Sequence, residues 1–77
     1  MRYSQRPQSA LGKAIRQLRE KRGVSQAALA KDASTTSETL SLIERGLANP
    51  TWATVLDIAA ALGVSMGDLA KLAEKQK

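Results

Sequence analysis

Residues 25–46 read SQAALAKDASTTSETLSLIERG, from Ser25 to Gly46, and this stretch decides the fold. Ser25 places a hydroxyl where it can accept from the unsatisfied N–H groups of a helix start, and Leu29, Ala30 and Ala33 follow at helical spacing. The polar run Ser34-Thr35-Thr36 then interrupts the pattern, because short hydroxylated side chains bond nearby backbone and compete with a helix ladder. A further helix starts at Thr36, or at Thr35 with Glu38 closing a capping box, and it turns Leu40 and Ile43 inward and ends before Gly46. Counting Gln26 as the first of twenty positions, the small Ala30 falls fifth and the apolar anchors Leu40 and Ile43 fall fifteenth and eighteenth. Two short helices that cross closely need a small residue at the crossing and apolar side chains beneath it. The expectation is a paired unit, one helix over about 25–33 and the next over about 36–45.

Outward from this unit the signals stay helical. On the N-terminal side, Leu11, Ile15 and Leu18 recur at helical spacing from Ser9 until Gly23 stops the segment. Residues 1–8, with Arg2, Tyr3, Arg6 and Pro7, lack apolar periodicity and read as a flexible basic arm. On the C-terminal side, Asn49-Pro50 forbids continuation, since proline lacks a donor and disfavours a helical residue before it. Thr51 then caps a fourth helix with Trp52, Val55, Leu56, Ala59 and Leu62 apolar and Gly63 as its stop. Trp52 reads as a core residue and not as a base-stacking one. Ser65, with Asp68 three residues on, caps a fifth helix whose narrow apolar stripe is Met66, Leu69 and Leu72. These segments predict an all-α, compact five-helix bundle as one domain over 9–75, with 76–77 as a tail.

Composition removes most other classes. Among 77 residues there is no Cys and no His, hence no disulfide, no thiolate nucleophile and neither of the commonest metal ligands. No phosphate loop or paired carboxylates appear, and Asp57, Asp68 and Glu74 read as a solvated or capping face, so an enzyme, a metal and a cofactor are not expected. One Trp, one Tyr and no Phe supply no platform for stacking unpaired bases. Apolar stretches fall well short of the roughly 20 residues a membrane helix needs, so a soluble, cytoplasmic protein with no membrane partner is expected. Net charge is +5, and residues 1–24 hold seven basic groups against one acid, whereas 25–77 hold five against six. A polyanionic partner suits this balance, its attraction centred on the first helix and the arm.

Taken together, Ser25-Gln26, Leu29-Ala30, Ile43-Glu44-Arg45-Gly46, Asn49-Pro50 and Ala61-Leu62-Gly63-Val64-Ser65 resemble the Cro/C1-type (XRE) helix-turn-helix family, and the resemblance covers roughly Leu11 to Leu69. It implies a lambda-repressor-like five-helix domain that binds palindromic operators in double-stranded DNA as a homodimer, acts as a transcriptional repressor, and is encoded by a bacterium or phage and associated with the nucleoid. It implies no small-molecule ligand. The third helix is then the recognition helix, with Thr36, Ser37, Glu38, Ser41 and Leu42 at base-contacting positions. A glutamate there can accept from a cytosine amino group, and a threonine or leucine methyl can touch a thymine methyl. Ser25, Gln26, Thr39, Arg45 and Asn49 match phosphate-contacting positions, with Lys13 and Arg16 on helix one as outlying candidates. Arg19 and Glu44 match a structural ion pair between helices one and three.

Four positions depart from the family pattern. Ser34 and Thr35 stand where a glycine and an apolar residue are usual, so the turn carries strain or uses side-chain bonds to its own backbone. Ser37 and Leu42 replace long polar or basic side chains. An exposed Leu42 supports a second reading, a protein-interaction module such as an antitoxin or regulatory partner built on the same fold. For the homodimer, Met66, Leu69 and Leu72 are the candidate contact residues, or else they close the monomer core.

Overall fold

The computed structural model describes residues 7–76, with side chains from Ser9 onward. Five helices follow in order: α1 (Pro7–Arg22), α2 (Gln26–Asp32), α3 (Ser37–Glu44), α4 (Trp52–Leu62) and α5 (Met66–Glu74). Four of the five starts are written in single hydroxyls. Ser25, Thr36, Thr51 and Ser65 are extended N-caps whose side chains accept from the N–H groups of Ala28, Thr39, Thr54 and Asp68. The Thr35–Glu38 capping box does not form, because Thr36 takes the cap and leaves Glu38 one residue short of the position that reaches back. At the other end of the chain's first helix, α1 begins at Pro7, two residues before the expected start, since a proline's fixed φ and missing donor suit a first turn. Residues 1–6 of the expected arm lie outside the described residues. Gln76, expected as tail, donates from Nε2 to Gln17 Oε1 at 2.8 Å and ties the end of α5 to α1.

Packing follows the apolar periodicity. α1 lies against α3 and α5, and α2 lies against α3 and α4. The shared core is Ala14 and Ile15 of α1, Leu29, Ala30 and Ala33 of α2 and its cap, Leu40 and Ile43 of α3, Val55, Ile58, Ala59 and Leu62 of α4, and Leu69 of α5. Ala30 at the α2–α3 crossing is buried, as close approach there requires. No single helix among the described residues is long and apolar enough to cross a membrane, although α4 and α5 pass that test as a pair bent by 97°.

Two sequence expectations are corrected by this packing. Trp52 is 68% exposed and Leu56 is also at the surface. The buried residues of α4 are Val55, Ile58, Ala59 and Leu62; at about 100° per residue Leu56 falls about 60° outside their arc, while Trp52 falls just outside it as the first residue of the helix, where no neighbouring helix covers it. Leu69 is not available to a second copy, because α5 closes on α1 and Leu69 fills the core completely, with Met66 and Leu72 half-buried against it.

Between α2 and α3 the chain turns at Ser34, the only non-glycine among the described residues with positive φ, at +58°. Its N–H reaches Lys31 O at 3.2 Å and that of Thr35 reaches Ala30 O at 2.8 Å, which satisfies the carbonyls at the end of α2. A left-handed L-residue costs about 1–2 kcal/mol. Ser34 makes no side-chain hydrogen bond among the described residues to offset this. Ser34→Gly should therefore raise stability by about 1 kcal/mol, net of the larger entropy glycine loses, and raise Tm by about 4–8 °C in a thermal melt. A lowered or unchanged Tm would show that the turn is not strained.

Candidate nucleic-acid interface

At about 100° per residue, Ser37, Ser41, Glu38 and Leu42 share one face of α3, spread over about 140°, while Leu40 and Ile43 turn inward and Glu44 lies at the edge between them and Ser37. Leu40, Ile43 and Glu44 are buried, Ser41 is half-buried, and Ser37, Glu38 and Leu42 are exposed. Thr36 is exposed as well, but its hydroxyl is engaged: it accepts from Thr39 N and donates to Thr39 Oγ1 at 2.9 Å. Its methyl group alone is uncommitted, and Thr39 shares that local pairing.

What holds this face outward is an ionic lattice behind it. Arg19 Nε donates to Glu44 Oε2 at 2.7 Å and Nη2 donates to Oε1 at 3.1 Å, a bidentate pair with side-chain exposures of 12% and 2%. A third donor on the same carboxylate is Gln26 Nε2, 3.0 Å from Oε1. Arg19 also donates from Nη1 to Val24 O at 2.9 Å, which fixes the loop entering α2. One carboxylate on α3 is thereby bonded to α1 and to the first residue of α2. The bonds from Glu44 hold the Arg19 guanidinium above its ordinary pKa, more than offsetting the burial that opposes its charge.

Gly12 supplies the close approach that this lattice needs. A Cβ there would run into Ile43 O and lie 2.8 Å from Glu44 O, so only a glycine lets α1 press against the end of α3. The residue was not singled out from the sequence; an isolated glycine inside a helical pattern is the signal that points to such an approach. Past α3, Gly46 adopts φ +75°, and a Cβ there would sit 2.7 Å from Ser9 Oγ.

The phosphate-contact candidates divide by what already holds them. Ser25 is exposed but its Oγ accepts from Ala28 N, and Gln26 is half-buried on Glu44. Arg16 is paired with Glu20 one turn on, Nε to Oε2 at 3.1 Å, both largely exposed, a pair worth little in stability. Lys13, Arg45 and Asn49 are exposed. Gly12, Arg19 and Gln26 all meet the Ile43–Glu44 end of α3, so α1 and the start of α2 converge beside Arg45. The candidate base-contact positions, by contrast, carry no cation, and Glu38 is their only charge. Among the described residues no group of His, Cys, Asp or Glu is arranged to hold a metal ion.

Comparison with known proteins gives the same architecture. The family described as "Helix-turn-helix domain" matches residues 10–72. Two solved structures of the clp gene regulator ClgR from Corynebacterium glutamicum are similar to this chain. The first is 28% identical with a TM-score of 0.92, covering 99% of this chain and 97% of that one. The second is 29% identical with a TM-score of 0.91, covering 95% of this chain and 78% of that one. No curated protein matches.

Glu44 is the point where removal of a charge is most costly. Glu44→Gln leaves the Arg19 guanidinium without its counter-charge inside the fold, a loss of about 3–5 kcal/mol. A domain of this size has on the order of 4–12 kcal/mol in total. Thermal unfolding of the variant should show a Tm lowered by at least about 12 °C. An unchanged Tm would overturn the structural role assigned to the pair.

Proposed function

This chain belongs to the helix-turn-helix domain family, and on that premise we propose that it is a sequence-specific repressor of transcription that lays α3 in the major groove of a palindromic operator as a homodimer. It is a DNA-binding regulator and not an enzyme. The observation that carries the proposal is the base-facing side of α3: an outward row of Ser37, Glu38, Ser41 and Leu42 held rigid from behind by Arg19, Glu44 and Gln26. Ser37, Glu38 and Leu42 are at the surface, and exposed side chains on a firmly anchored helix are what base-edge reading requires. Backbone amides at the start of α2 and the side chains of Lys13, Arg16, Arg45 and Asn49 supply phosphate contacts, with Ser25, Gln26 and Thr39 as adjoining polar groups.

The likeness to a gene regulator over nearly the whole chain supports this reading. In an operator-bound dimer the two recognition helices stand about 34 Å apart, one turn of DNA. Selection from a random duplex library at low and near-physiological salt tests the proposal. An inverted repeat should be recovered, and Arg45→Ala should reduce the salt slope by about 1 while leaving the preferred sequence unchanged. Sequence-independent binding alone would overturn it.

A second reading, a module that holds another polypeptide, is favoured by the exposed Leu42, Leu47, Trp52 and Leu56. We assign the α4 members of this set to the second copy of the chain. Residues 46–70 contain two acids and no Lys or Arg, so a contact built from this stretch brings none of the cations of a molecule of net charge +5 together. Leu56→Glu should shift the sedimentation of the protein to that of a monomer and keep its helical circular dichroism. Sedimentation unchanged by the substitution would exclude α4 as the contact.

A further inference from the structure

Glu38 is an acid that the fold does not use. Among the described residues it has no hydrogen-bond or ion-pair partner, it is exposed, and it takes no part in the cap of α3. It stands in the first turn of α3, where the amide dipoles favour a negative group. A free carboxylate on a face turned toward DNA is repelled by phosphates unless a donor meets it. The major groove offers only two: the N4 amino group of cytosine and the N6 amino group of adenine. Adenine presents its N7 acceptor beside the amino group and guanine presents two acceptors, and an ionised carboxylate accepts only. Cytosine alone offers the donor without an acceptor next to it on the same base.

Leu42 stands one turn further along the same side of α3 and is 40% exposed. It has neither donor nor acceptor, and the one apolar feature of the major groove is the C5 methyl group of thymine. Four residues of helix advance about 6 Å, against about 3.4 Å per base pair, so the two side chains address bases about two pairs apart. Between Ser37 and Leu42 there is no Arg, Lys, Asn or Gln, so the side chains that bind guanine or adenine through paired hydrogen bonds are missing from this face. Ser37 and Ser41 accept either hydrogen-bonding pattern.

We infer that the half-site is read as pyrimidines, with Glu38 accepting from the N4 amino group of a cytosine and Leu42 packing on the C5 methyl of a thymine about two base pairs away. This rests on the DNA-binding reading above. Both side chains lie outside the core, so Glu38→Gln and Leu42→Ala keep the fold, which circular dichroism verifies.

The test compares half-sites selected by the wild-type protein and by Glu38→Gln, then measures affinity for synthetic duplexes in which each thymine of one half-site is replaced by deoxyuridine. Glu38→Gln should change the preferred base at one position from cytosine to adenine, with about tenfold discrimination, because glutamine pairs with adenine N6 and N7. Loss of one thymine methyl should weaken wild-type binding about fourfold and leave Leu42→Ala unaffected. A half-site unchanged in Glu38→Gln, or wild-type affinity uniform across the deoxyuridine series, overturns the inference while DNA binding stands. Failure of the wild-type protein to select any sequence overturns both.

Discussion

α3 is eight residues long, too short to hold helical structure by itself in water, and everything it presents to a partner depends on what anchors its inner side. Leu40 and Ile43 provide the apolar part of that anchor. Glu44 provides the directional part, since its two oxygens accept from Arg19 on α1 and from Gln26 at the start of α2. A carboxylate buried to this degree is tolerable only when its charge is matched and its lone pairs are used. The three helices are consequently locked in one relative orientation, and the glycine at position 12 removes the bulk that would otherwise push α1 off α3.

Charge and shape are divided across the molecule in a way that suits this arrangement. Arg45 directly follows α3 and Lys13 and Arg16 lie on α1, which packs against it, while the outward side of α3 carries hydroxyls, one carboxylate and one leucine. Attraction to phosphates is long-ranged and insensitive to sequence, whereas the short side chains act only at contact. α4 has no cation and exposes Trp52 and Leu56. The Arg22 guanidinium supports that helix from behind by donating from Nη1 to Leu62 O at 2.7 Å, which caps the end of α4.

Sequence reading was most informative where the physics is local. Ser25, Thr51 and Ser65 announce helix starts because the bond they make is to a backbone group three residues away, and Gly23, Gly46 and Gly63 adopt the positive φ that ends helices. The Arg19–Glu44 pair was legible only through the family resemblance, since the two residues are 25 positions apart and nothing in composition joins them. The candidate site was partly legible: the outward row on α3 follows from helical period and the cap at Ser25 from its hydroxyl, but that Thr36 and not Thr35 takes the cap of α3, and that Arg16 is paired with Glu20, required coordinates.

Trp52 and Leu69 mark the boundary between the two kinds of information. Both are apolar residues at helical spacing, and by period alone each belongs to the face of its helix that seeks cover. Cover is supplied by other helices, and their placement is a property of the whole chain: α5 folds onto α1 and buries Leu69, whereas Trp52, in the first turn of α4 and just outside its buried arc, is left in solvent. The sequence by itself determined where helices start and stop and which stripes are apolar, because caps, turns and periodicity act over a few residues. Only the tertiary structure decided which stripe is covered, which glycine is a contact point and which charge is buried, because those depend on groups that meet only after the chain has folded.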